Sequence, residues 1–559
     1  MSKTSDAAKN EMLVKPAVYD RSLNGWYSLW KEGSGLQFVC DEYTAVYEDY
    51  DDTLFAVQTN TVHYGDANLD GNINIIDLIV LKKKLVNAAE INYASLDCDG
   101  NGVVESTDMV LLYKHLLGSE KIEWEADVSK IKVNTGLSGG ADAAAAELKS
   151  EISQISDITS TGTVYKISES GADGTYTVAE LKDLTLRLGD TVLFNRGETF
   201  RLTETLTPVN GVGYGAYGVG DKPVLSGSLR DYADSSVWTS ADGFVWSTTV
   251  NSDRAANIVF NNGEYYGVLK TLVSALRNDG DFCFDSTTNT LYLYLQQINP
   301  GSRFWSIEIS STDILIAGNN LADISFTNIG LSYAAVHGMN FRKSESITVT
   351  GCEFNWIGGG FDDSGSTRYG NALQFWSSAE NCKAISNSFN QIFDAAVTFQ
   401  GNSGGIFTEL EFKNNLIEYT SMNFEFWDGG LDEAGVSTAS ISNVSFDNNI
   451  VRFAGYGFSS CQRGSTSNQA CILAWHTAYS DNGISNFDIT NNIFDVANCY
   501  IFYATGCLDK LNVVGNTYYQ SSATTRTISY SDTSYAHNLS EFNSLITAID
   551  ATASTYWID

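Results

Sequence analysis

Two twelve-residue stretches carry oxygen side chains at a spacing that encloses a hard cation. In the first, Asp66, Asn68, Asp70, Asn74 and Asp77 stand at positions 1, 3, 5, 9 and 12. In the second, Asp97, Asp99, Asn101, Glu105 and Asp108 take the same places. Gly71 and Gly102 fall at position 6, where the chain must turn sharply, and position 7 (Asn72, Val103) offers its backbone carbonyl. Oxygen ligands at these offsets suit Ca2+, so the reading is two calcium ions, one per loop. One such match arises by chance; two in tandem, 31 residues apart, do not.

Each loop runs into an apolar segment, Leu78-Ile79-Val80-Leu81 with lysines after it, and Met109-Val110-Leu111-Leu112 ending at Gly118. Both read as short amphipathic helices, the second stopped by glycine. Position 12 is Asp, and no helix-length pattern precedes either loop. Residues 64–118 therefore resemble a dockerin, the calcium-dependent module that docks enzymes to cohesins on a scaffold protein. The resemblance implies two bound calcium ions, a cohesin-type scaffold partner and an extracellular or cell-surface location. Loop positions 10 and 11 are Ile75-Ile76 in one copy and Ser106-Thr107 in the other, so the two faces are not equivalent. A calcium-stapled spacer that binds no partner is the alternative.

A second set of residues suits chemistry on sugars. Asp394, Glu425 and Asp428 are carboxylates near an aromatic residue, and glycoside hydrolysis needs two: one to protonate the leaving oxygen, one to act as nucleophile or to activate water. Trp376, Trp427 and Trp475 can stack on sugar rings, while Arg368, Gln400, Arg463 and His476 can bind hydroxyls or carboxylates. Asp362-Asp363, in a glycine-rich loop, fit a turn cap, a calcium ligand or a catalytic acid equally. A lyase would need a base and a cation against the substrate carboxylate, for which Arg368, Arg463 and His476 are the candidates. With five histidines and no dense basic patch, hydrolase ranks first.

The elements that must position these groups are repeated. Asn-apolar runs recur at Asn328, Asn387, Asn415, Asn449, Asn492 and Asn516, with Cys352 in the same slot, at steps of 24, 35, 28, 34, 43 and 24 residues. Units of this size, with longer steps where loops are inserted, stack into a solenoid whose in-register asparagines form hydrogen-bond ladders. The pattern is that of a right-handed parallel β-helix, and the stretch from Gly189 resembles the opening of carbohydrate-active β-helix proteins. In-register stacking sets Val397 over Phe424. It places Thr398, Glu425, His337 and Ser459 in one outward column and Gln400 with Trp427 in the next.

The expected fold is mainly β, with a β-helix over 163–540 that carries a β-rich insertion at about 230–310. Before it come an unassigned appendage (1–63), the small α-helical calcium module (64–118) and a linker with a helical cap (119–162, around Ala143–Ala146). Residues 541–559 form a C-terminal cap.

With 67 acidic against 33 basic residues among 559 and a net charge of −34, the chain lacks the basic footprint that nucleic acid requires. The same field favours neutral glycans over polyanions. No stretch is long and apolar enough to span a membrane, and no secretory-type apolar core follows Met1. Nine cysteines leave at least one unpaired; they read as small buried hydrophobes, with a Cys461–Cys471 disulfide as the alternative. The reading is a polysaccharide hydrolase. Its rivals are a non-catalytic tailspike-like fibre, which would be a homotrimer, and a polysaccharide lyase.

Overall fold

The computed structural model describes residues 131–133 and 137–558, apart from 173, 243, 297, 363–364, 366, 463–468, 475–477, 481–482, 505, 522–527, 531 and 535. Before these it describes 17–20, 25–28, 30–31, 35–36, 43–47, 55–59, 65, 73, 75–87, 98 and 105–119. The body is a right-handed parallel β-helix built on one 26-stranded sheet system that winds from Val164–Ile167 to Ser554–Ile558.

Its core is made of columns. Phe200, Leu225, Leu331, Phe354, Phe389, Ile417, Val451, Phe494 and Tyr518 pair directly, rung upon rung. All are essentially buried, and Phe354 stacks on Phe389 at 4.7 Å. A rung cannot bury its apolar face alone; the neighbouring rung supplies the cover.

The turn before this column explains the asparagine repeat. Ser386, Asn414, Asn448, Asn491 and Gly515 adopt φ between +55° and +75°, a conformation Asn and Gly tolerate. The next residue, Asn387, Asn415, Asn449, Asn492 or Asn516, turns inward. Each ladder Oδ1 accepts the backbone N–H of the rung before, from Cys352 N to Asn387 (2.9 Å) through to Asn492 N to Asn516 (2.8 Å). Each Nδ2 donates to the next Oδ1, and Asp550 ends the ladder by accepting from Asn516 N and Nδ2. Cys352 fills a ladder slot, as its spacing implies. Asn328 does not: Thr327 pairs with Thr350, so Asn328 lies at the left-handed position over Gly351 and Ile329 takes the slot. Its Nδ2 binds Ile155 O and Asp157 instead.

One appended element differs from its expected role. The helix Asp142–Ser153 lies along the flank, packing Ala145, Leu148 and Ile152 on Leu416 and Ile450, not across an end. It is pinned by the buried Arg452, which donates to Asp495 (2.9 Å), Glu418 (3.0 Å) and Asp142. The Cys461–Cys471 bridge is absent, since Cys471 is a free thiol buried in the main core. At the far end, Phe542 and Ile546 of the helix Leu539–Thr547 enter the core, and the strand Ser554–Ile558 pairs with Thr517–Ser521.

Between the strands Val224–Ser226 and Ile314–Asn319, a five-stranded and a three-stranded sheet enclose a separate core that includes Trp238, Phe260, Phe282 and Ile307. Ahead of the β-helix, the helices Ile75–Asn87 and Ser106–Leu116 pack through Leu81, Cys98 and Leu112. No helix among the described residues is long and apolar enough to cross a membrane.

Candidate active site

Four consecutive rungs present polar groups outward where their neighbours are apolar. Asn340 pairs with Gln374, Gln374 with Thr398, and Thr398 with Glu425. Two residues along, Arg342, Trp376, Gln400 and Trp427 form the adjoining column. The first column is flanked by Ala317 on one side and Leu473 on the other. Parallel strands lie about 4.8 Å apart, so the polar platform spans roughly 14 Å along the axis.

This platform floors a cavity of about 700 Å3. Trp376 and Trp427 meet edge to face, 6.1 Å apart and 87° between planes, and Arg342 lies 6.0 Å from the Trp376 ring centre. Asp394 and Glu425 both line the cavity. Asp394 accepts a long bond from Gly370 N (3.4 Å), and Glu425, 7% exposed, accepts from Thr398 Oγ1 at 3.2 Å. A strand pair between Gly360–Phe361 and Arg368–Tyr369 builds one wall and carries Asp362, Thr367 and Tyr369 to the cavity.

His337 completes the site from beneath. Its Nδ1 accepts the Asn371 N–H at 2.9 Å, which leaves the proton of the neutral ring on Nε2. Burial holds its pKa down at about 4, against the opposing pull of the Asp394 charge. Tyr369 presents its ring at 5.4 Å, nearly perpendicular.

The expected residues separate into three groups. Asp394, Glu425, Trp376, Gln400 and Trp427 share the cavity, and Thr398–Glu425 and Gln400–Trp427 are in the anticipated register. Asp428 and Arg368 do not line it. Asp428 is fully buried and accepts N–H bonds from Gly404 (2.8 Å), Gly405 (3.0 Å) and Gly430 (2.7 Å), so it organises the glycine turns at the strand end. The Arg368 guanidinium binds Gly359 O, Gln462 Oε1, Ala256 O and Asn257 Oδ1, and lies 4.6 Å from the Phe393 ring centre. It ties the wall to the inserted sheets. Arg463, Trp475 and His476 lie outside the described residues.

His337 and Ser459 also leave the expected column. Counting back from Met339, His337 lies three residues before the Gln374 partner Asn340, while Ser459 sits in a short 3-10 helix, Phe458–Cys461. Sequence reasoning missed Asn340, Arg342 and Gln374, and it placed Tyr369 and Asn371 in a cleft segment without giving either a role. The signal for two of them was available, because the Thr398 column extends by register to Gln374 and Asn340.

In the calcium module, Asp77 and Asp108 are fully buried at the starts of the two helices. Asp108 accepts from Cys98 N and Glu105 N, both at 2.7 Å, which fixes the second loop on its helix. Buried carboxylates within an all-oxygen donor set fit a hard cation. The other residues expected as ligands, Asp66, Asn68, Asp70, Asn72, Asn74, Asp97, Asp99, Asn101 and Val103, lie outside the described residues, whereas Glu105 is described at the helix entry.

Comparison with known proteins returned one family, the dockerin type I domain, at residues 64–117. No curated protein is similar enough to match. Similar solved structures include a protein titled glycoside hydrolase (10% identity, 71% of this chain and 96% of that one, TM-score 0.40). Others are a polygalacturonase from Erwinia carotovora ssp. carotovora (10%, 67% and 97%, TM-score 0.32) and a GH136 lacto-N-biosidase from Eubacterium ramulus (13%, 71% and 67%, TM-score 0.28). Residues 64–117 are a dockerin type I domain, carried by a chain whose body is a right-handed parallel β-helix.

Proposed function

We propose that this chain is an extracellular or cell-surface glycan hydrolase held by its dockerin domain to a cohesin-type scaffold protein. The observation that carries the reading is the meeting of Asp394 and Glu425 in one 700 Å3 cavity with two crossed tryptophans and a floor of amides. Tryptophan faces hold the apolar sides of sugar rings, and amides bind their hydroxyls. One carboxyl then protonates the glycosidic oxygen while the other attacks the anomeric carbon or takes a proton from water.

The lining supports hydrolysis over elimination. A lyase must neutralise a substrate carboxylate beside its base, and here three acids, Asp362, Asp394 and Glu425, face one Arg342 and a neutral His337. Two calcium ions would be held by Asp66, Asn68, Asp70, Asn72, Asn74 and Asp77 and by Asp97, Asp99, Asn101, Val103, Glu105 and Asp108. Their part is to brace the loops against the helices. Ile75 and Ile76 are half or more exposed, which supplies an apolar face for a partner.

The test is incubation with neutral and acidic polysaccharides in calcium buffer, following reducing ends and ultraviolet absorbance together. Reducing ends without absorbance are expected. Absorbance would mean a lyase, and no cleavage across the panel would favour a binding protein, with a homotrimer pointing to a fibre.

A further inference from the structure

We propose that two backbone N–H groups, of Ala395 and Asn371, set the hydrogen-bond polarity of the cleft floor, making Asn340 a donor and Gln400 an acceptor toward the bound sugar. This rests on the glycan reading above and names the residues that set its specificity.

A backbone amide can only donate. Ala395 N–H donates to Asn371 Oδ1 at 2.9 Å, so the other end of that side chain is its Nδ2, which donates to Gln374 Oε1 at 2.6 Å. Gln400 reaches the same oxygen through Nε2 at 2.7 Å, so its Oε1 is the end turned from the network. Gln374 Nε2 donates to Asn340 Oδ1 at 3.2 Å, which turns Asn340 Nδ2 outward in the same way. The Asn371 N–H acts likewise on His337, leaving Nε2–H as its remaining polar group.

Asn371, Gln374, Gln400 and His337 are 2–5% exposed, so water has little access with which to reverse the chain. Reversing one amide would set donor against donor or acceptor against acceptor at an adjoining link.

The cleft is therefore directional. The rung of His337, Asn340 and Arg342 offers donors, and the rung of Gln400 offers an acceptor. A sugar bound here presents an acceptor oxygen to the first end and a free hydroxyl to the second. A carboxylate or an etherified oxygen over Gln400 Oε1 would face an acceptor, so the group held there is a free hydroxyl.

Two isosteric variants test the polarity without any ligand. Near neutral pH, Gln400→Glu places a carboxylate oxygen against Gln374 Oε1 and lowers Tm by on the order of 3–6 °C. Asn340→Asp keeps the oxygen that Gln374 needs and leaves Tm near wild type. The opposite order of the two Tm values overturns the polarity, whether or not the chain is an enzyme. On the polysaccharide that the wild type cleaves, Asn340→Asp raises KM about three- to tenfold while kcat changes little. An unchanged KM overturns the specificity role. Absence of cleavage by the wild type overturns that role together with the hydrolase reading, and the thermal order still decides the polarity.

Discussion

At one turn of the β-helix, Asn387, Asn415, Asn449, Asn492 and Asn516 stack as a single residue type over five rungs; on the cleft face, Asn340, Gln374, Thr398 and Glu425 stack as four different ones. Both are columns of polar side chains on the same backbone repeat. In the ladder, hydrogen bonds use both ends of each amide, and exposure is 0–1%. In the cleft column, the outermost groups still offer bonds to a cavity. Repetition of one residue lets every rung satisfy the next, which stabilises the solenoid. Departure from repetition leaves groups that a neighbouring rung cannot satisfy, and there a ligand can bind.

That contrast predicts opposite outcomes for substitutions in the two columns. Glu425→Gln or Asp394→Asn should lower turnover by about 10^2–10^4-fold with Tm close to wild type. Parallel loss of activity and Tm would make the residue structural and the two columns alike. Asn449→Ala should do the reverse. It removes the acceptor for Asn415 N and Nδ2 and the donor to Phe412 O, and destabilises the fold by about 3–5 kcal/mol in chemical denaturation. Activity per folded molecule should be unchanged.

His337 sharpens the comparison through pH. Its folded pKa of about 4 lies below the ordinary 6.5, so between those values the unfolded chain binds the extra proton. Stability should fall as pH drops from about 6.5 to 4 and level off below, by roughly 3 kcal/mol in all. His337→Gln should remove this slope; a slope that persists would place the titration elsewhere. The smallest effect concerns the calcium module. Each calcium ion, at a hundredfold excess over its Kd, should stabilise residues 64–117 by about 2.7 kcal/mol, reversed by a chelator, with the β-helix transition unmoved. A shift of the β-helix transition would show that the ions brace both parts.

Much of the site was readable through the repeat. Once the asparagine steps set the rungs, Val397 over Phe424 followed, and with it the Thr398–Glu425 and Gln400–Trp427 pairs. Counting along the register stops where the backbone leaves the repeat. A register shift between Ile392 and Ala395 lies next to Asp394, and His337 comes at the start of its strand, so neither orientation can be counted from the ladder. Asp428 and Arg368 misled for another reason. Their types suit sugar chemistry, yet glycine N–H groups and backbone carbonyls, several brought from distant segments, claim their polar atoms.

The sequence by itself determined the dockerin domain, the parallel solenoid and its register, because each depends on local spacing that repeats. The tertiary structure alone decided which acids are available to a substrate. It brought Gly404 and Gly405 to Asp428, closed the wall of the cleft through Arg368 and the inserted sheets, and oriented the floor through Asn371 and Ala395. Those partners lie from about 20 to over 100 residues away along the chain, beyond the reach of any local pattern.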